Sequence, residues 1–130
     1  MKSEKGQSLV ETALVLPVLL LILFGITDFG RIFHVYLTLD HAGREAARVA
    51  TIGYNEDDIE DRAVEVAAAN SITLDPSTNI NITPEDEAIG LVSGSNVTIT
   101  LSYSVDFLTP IIGDILNDLT LKNTTVMRVE

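Results

Sequence analysis

Glu11 stands five residues after Gly6, at the entry to a run over residues 14–26 that contains no polar side chain. A charge inside an apolar segment costs up to ~3 kcal/mol at mid-bilayer and less toward an interface. Two readings account for it. In the first, Glu11 rests in the headgroup zone at a helix start, where the helix dipole favours an anion by ~0.3–1 kcal/mol. In the second, the spacing matters: cleavage after Gly6 makes Gln7 the new N-terminus and Glu11 the fifth residue. The freed α-amino group, with a reference pKa of ~7.7–8.0, is largely protonated at neutral pH. It lies one helical turn from Glu11, and in low dielectric leaving either charge unpaired is costly. Pairing within one chain or between neighbours removes that cost, and an inter-subunit pair would set the axial stagger of packed helices. Glycine at 6 leaves the scissile bond accessible and suits an extended chain. The protease supplies all the chemistry, so nothing in this chain needs to be catalytic.

The other reactive residue types form no constellation. His34 and His41 are seven apart with Asp40 adjacent to the second, which is not the i,i+4 pairing of a zinc helix. The acidic triplets at residues 56–58 and 85–87 lack the spaced ligands of an EF-hand loop. There is no cysteine, which excludes disulfides and thiolate metal sites. Asn81, Asn96 and Asn123 each begin an N-x-Thr triplet, and chance accounts for these in threonine-rich strands. No metal, no cofactor and no enzymatic activity are expected.

The element that must position Glu11 is a helix. Residues 9–29 supply the ~20 mostly apolar residues a span needs, with Glu11 and Asp28 near the two interfaces. Lys2 and Lys5 favour an inside N-terminus, weakly opposed by Arg31. No small-residue signal-cleavage site follows the run, so the segment is retained. Beyond it, residues 28–51 contain no proline, and Ile32, Tyr36, Leu39, Gly43, Ala46 and Ala50 recur every three to four positions. That period marks one packing face of a continuing helix. The face is bulky below and small above, so another element can approach closely near Gly43 and Ala46. Asp40 with Arg44, and Glu45 with Arg48, are placed for ion pairs along the helix. From residue 8 to 51 the helix would run roughly 65 Å, and Pro17 and Gly25 argue against a straight rod.

The rest is a small head. Asn55 and the acids after it signal a helix start, with an Asn55 cap. Ile59, Ala63, Val66 and Ala67 form one face of this helix, which folds back on the first after a break at residues 52–54. Residues 79–83, 96–107 and 119–129 alternate apolar and polar side chains and predict three antiparallel strands. Ile111, Ile112, Ile115 and Leu116 between the last two strands form an apolar cluster, for the core or for contact with another subunit or the membrane. About 75 residues can bury only a small core. The net charge of −11 leaves no basic patch for phosphates, so no nucleic-acid contact is expected; solubility is the plain meaning of the acidity.

Four features together carry a resemblance: Gly6-Gln-Ser-Leu-Val-Glu11, the leucine run, Asp28-Phe-Gly-Arg31, and His41-Ala-Gly-Arg-Glu-Ala-Ala-Arg48. Over roughly residues 6–50 the chain resembles the TadE-like family, minor pseudopilins of tight-adherence (Tad/Flp) pilus systems. Major Flp pilins usually carry tyrosine after the glutamate and are much shorter; here Thr12 follows Glu11 and a sizeable head exists, which favours the minor role. The resemblance implies a pilin-like α+β fold and processing by a prepilin peptidase after Gly6. It implies partners in the lipid bilayer, other pilins or pseudopilins and the pilus assembly machinery. The expected division is a cytoplasmic leader (1–6), a transmembrane part (7–29), an extracytoplasmic continuation (30–54) and a head (55–130). The expected location is the cytoplasmic membrane, single-pass, with the head outside. The rival reading is an uncleaved, membrane-anchored binding module that never assembles.

Overall fold

The computed structural model describes residues 2–53, 55–86, 90–116 and 119–130, with the side chains of 2–5, 110, 111 and 116 left out. The first helix, α1 (Lys2–Thr51), is 50 residues long, about 75 Å at 1.5 Å per residue. It begins six residues earlier than the sequence predicts from residue 8. Pro17 lies inside it. Its end is set by Gly53, whose φ of +83° is open to glycine without steric cost; the Ile52 and Gly53 amides close back on Val49 and Ala50. Tyr54, the last residue of the predicted break, lies outside the described residues.

The second helix, α2 (Glu56–Ala69), folds back along α1. Asn55 has the extended backbone of an N-cap but makes no side-chain cap bond. Glu56, Asp57 and Asp58 in the first turn supply negative charge to the dipole there instead. At the other end the Ile72 and Ser71 amides donate to the Ala67 and Ala68 carbonyls. This is a Schellman closure with Ser71, at φ 62°, in the left-handed place. A short turn, α3 (Pro76–Asn79), follows, capped by Asp75, which accepts from the Ser77 amide at 2.9 Å and the Ser77 hydroxyl at 2.6 Å.

Three strands complete the head: β1 (Ile80–Pro84), β2 (Asn96–Val105) and β3 (Leu119–Arg128), with a helix α4 (Pro110–Leu116) between the last two. The order is β1-β2-β3, antiparallel throughout. The fold is therefore α+β, as the alternation implies, although the last two strands end one or two residues sooner than expected. Period two sorts the residues: Val97, Ile99, Leu101 and Val105 face inward and are buried, whereas Thr98, Thr100, Ser102 and Ser104 face away. Burying each such Val, Ile or Leu side chain stabilises the fold by about 1.5–3 kcal/mol.

The core lies where α1 meets α2 on one flank and β2 and β3 on the other. Small residues make this possible. Ala42, Ala46, Ala47 and Ala50 are fully buried, and a Cβ on Gly43 would stand 2.8 Å from Asn123 Oδ1 and 2.9 Å from Thr125 Oγ1. The close approach expected near Gly43 is thus made by β3. Of the predicted packing face, Leu39, Gly43, Ala46 and Ala50 are buried and Ile32 is half-buried against the core. Tyr36 is a correction: it is 49% exposed, and Val35 is buried in its stead. A helical stripe drifts with 3.6 residues per turn, and Tyr36 falls just beyond its edge.

Candidate processing and assembly segment

Gly6, Gln7 and Glu11 all lie on the exposed first turns of α1. The bond between Gly6 and Gln7 is helical rather than extended, since the first proline is not reached until Pro17. Nothing stands within 4 Å of a Cβ built at Gly6, so no tertiary contact holds this stretch in its helix. Glu11 makes no ion pair among the described residues. Nearby hydroxyls are satisfied inside the helix: Thr12 Oγ1 donates to the Ser8 carbonyl at 2.9 Å, and Thr27 Oγ1 to Leu23 at 3.0 Å. Such back-bonding removes the cost of a bare hydroxyl in apolar surroundings. α1 contains a stretch long and apolar enough to cross a membrane, with none of it buried.

Asp28 is the residue whose role the sequence did not reveal. It is only 3% exposed. Its Oδ1 accepts the Leu108 amide at 2.8 Å, and its Oδ2 accepts the Thr109 amide at 3.0 Å and the Thr109 hydroxyl at 2.6 Å. The carboxylate therefore binds the turn that opens α4, 80 residues further on, to the top of the apolar run. The Asp28-Phe-Gly-Arg31 motif was a signal, but nothing in it names the partner.

Higher on α1, charged residues tie the head together. Asp40 pairs with Arg44 at 2.8 Å, as the i,i+4 spacing implies, and also accepts from Asn123 Nδ2 at 3.3 Å. Asn123 faces α1 with both ends of its amide engaged, by Asp40 and by Thr125. Glu45 corrects the expected pairing with Arg48: it accepts from Arg62 Nη2 of α2 at 3.0 Å. Arg62 also reaches Glu65 at 2.8 Å. The Arg62 hydrogen bond is the largest influence holding the Glu45 carboxyl below its ordinary range, against the opposing effect of burial.

The histidines do not meet. His34 Nε2 lies 3.1 Å from the Asn70 carbonyl, to which it donates, and His41 is exposed. An open cleft of about 360 Å³ between α1 and the head collects Arg31, His34, Tyr103 and Asp106, without a hydrogen-bonded serine–histidine pair. Among the described residues no cluster of three metal-ligating side chains occurs. Glu85 instead closes a loop by accepting the Asn96 amide at 2.8 Å; Glu87 of that triplet lies outside the described residues.

The architecture defines a class: one long helix, apolar and unburied at its start, carrying an α+β head on its upper half. The family model for TadE-like protein matches residues 6–48. Over that segment the chain is similar to TadE-like protein, as its motifs imply. The matched region begins at Gly6, includes Glu11 and Asp28, and ends at Arg48, an exposed residue between the buried Ala47 and Ala50. Comparison with the curated proteins and with solved structures returned no match.

Proposed function

We propose that this chain is a minor pseudopilin of a Tad/Flp-type pilus. A prepilin peptidase removes residues 1–6, and the processed chain assists assembly or function of the filament, in adhesion or secretion, with no catalysis of its own. The N-terminus faces the cytoplasm and the head lies outside. The observation that carries this reading is the TadE-like match beginning at Gly6, on a helix whose apolar start is left unburied. Unwinding the first turns for the peptidase breaks no tertiary contact at Gly6. Once Gln7 carries a free amine, the exposed carboxylate of Glu11 can pair with it in the same or a neighbouring chain.

Intact mass of the chain from its native host tests the reading. Loss of residues 1–6, abolished by Gly6→Val, is expected. Glu11→Ala should still be inserted and cleaved but enter filaments poorly. A native chain that keeps its full N-terminus would point to a permanently anchored binding module, and normal incorporation of Glu11→Ala would remove the role given to that carboxylate.

A further inference from the structure

We propose that the base of the head is seated in the lipid headgroup layer, with α4 resting on the bilayer surface beside the exit of α1. This rests on reading α1 as membrane-spanning. The first observation is length. Leu9 to Asp28 spans about 28 Å of helix, close to the ~30 Å hydrocarbon core, and the headgroup layer above it, ~5–7 Å deep, reaches about to Phe33.

The second is the surface itself. Phe29, Phe33, Tyr36 and Leu37 are all exposed. Their spacing places them on one side of α1, continuous with the apolar run and bordering the packed face. The stripe ends at the Asp40–Arg44 ion pair on the same side. Aromatic rings just beyond a span suit the headgroup level, where one end is apolar and the other wet.

The third comes from another part of the chain. Asp28 fixes the start of α4 at its own height through the Leu108 and Thr109 bonds. Leu108 is 53% exposed and Ile115 is 71% exposed. Seven residues of α4 extend only about 10 Å, so Ile115 remains near that level. Interfacial apolar faces bury about 5–10 Å into the headgroup boundary. Two elements distant in sequence thus present apolar side chains at the depth where the hydrocarbon ends. The Asp28 carboxylate would be costly there if bare, and it is wrapped by three donors. Asp106 shares a cleft with Arg31 and Asp114 of α4 is exposed, so the seat suits a zwitterionic lipid surface and does not depend on anionic lipid.

The chain has no tryptophan, which allows single reporters. The full chain carrying Leu108→Trp or Ile115→Trp is reconstituted in phosphatidylcholine vesicles with brominated acyl chains. Phe24→Trp in the span and Val126→Trp on the outer face of the sheet serve as references. Expected is quenching at 108 and 115 severalfold stronger than at 126, strongest when bromine lies near the headgroup end of the acyl chain. Quenching at 24 with none at 108 and 115 overturns the seat and leaves the span intact. Reporters at 108 and 115 whose emission follows protein density rather than bromine position would assign the surface to a second copy and overturn the proposal. No quenching at 24 would overturn the span and the seat together.

Discussion

Gly43→Ala separates local helix preference from tertiary packing, because the two act in opposite directions. In the interior of a helix, alanine is favoured over glycine by about 1 kcal/mol. Were α1 an isolated rod, the substitution would stabilise it. In the folded chain the added Cβ would stand 2.8 Å from Asn123 Oδ1 and 2.9 Å from Thr125 Oγ1, well inside the ~3.3–3.6 Å of an ordinary C···O contact. These oxygens cannot turn away freely. Thr125 Oγ1 donates to Asn123 Oδ1 at 3.1 Å, and Asn123 Nδ2 donates to Asp40 at 3.3 Å. Overpacking costs about 1–3 kcal/mol, and weakening one of those bonds a further ~0.5–1.5 kcal/mol. Set against the helix gain, the net loss is about 0.5–3.5 kcal/mol, and each kcal/mol corresponds to a fall in Tm of about 4–8 °C. Thermal unfolding of the full chain in detergent, followed by the tyrosine near-ultraviolet signal, measures it. In an Asn123→Ala/Thr125→Ala background the clash is gone, so Gly43→Ala should become neutral or stabilising by up to ~1 kcal/mol. A higher Tm for Gly43→Ala in the otherwise native chain would refute the claim that β3 seats directly on this glycine.

Asp28→Ala should speed hydrogen exchange at residues 106–116 while β2 amides retain their protection, since it removes the acceptor for Leu108 and Thr109; unchanged exchange there would show that the turn holds itself. Glu45→Gln should alter the acid limb of unfolding. Because the folded-state carboxyl titrates below its ordinary value of 4.5, its contribution is present above that value and lost as pH falls through the folded one. The gap in Tm between native chain and variant should therefore be open near neutrality and close below pH 4.5. Glu60, raised first by burial and then by Asp57, Glu56 and Asp61, acts in the opposite sense, so the difference between the two proteins is the quantity to follow.

The apolar span, the continuing helix, the second helix and the three strands were legible because each is a local period. Fourteen residues of α2 carry a stripe at 3.6, and β2 alternates at 2. Boundaries were less legible: α1 includes Lys2 to Gln7 because nothing there breaks a helix, a weak signal against that of an apolar run.

Gly6, Glu11 and the small face around Gly43 were likewise visible as residue types at fixed spacings along one element. What only the tertiary structure decided was which distant groups meet. Glu45 had an acceptable partner in Arg48 on its own helix and took Arg62 instead, because α2 brings that guanidinium alongside. Tyr36 fitted the repeat but sits past the edge of the contact. Ile115 belonged to a cluster that could have filled the core, and it faces out. Asp28, which the sequence placed at an interface, owes its burial to a turn 80 residues away. A period along the chain fixes which side of an element is apolar; which element covers it depends on how the loops return, and no local spacing encodes that. The sequence by itself therefore determined the long helix with its carboxylate at the fifth place after Gly6, and the tertiary structure decided that the head is fastened at Asp28, where the apolar run ends.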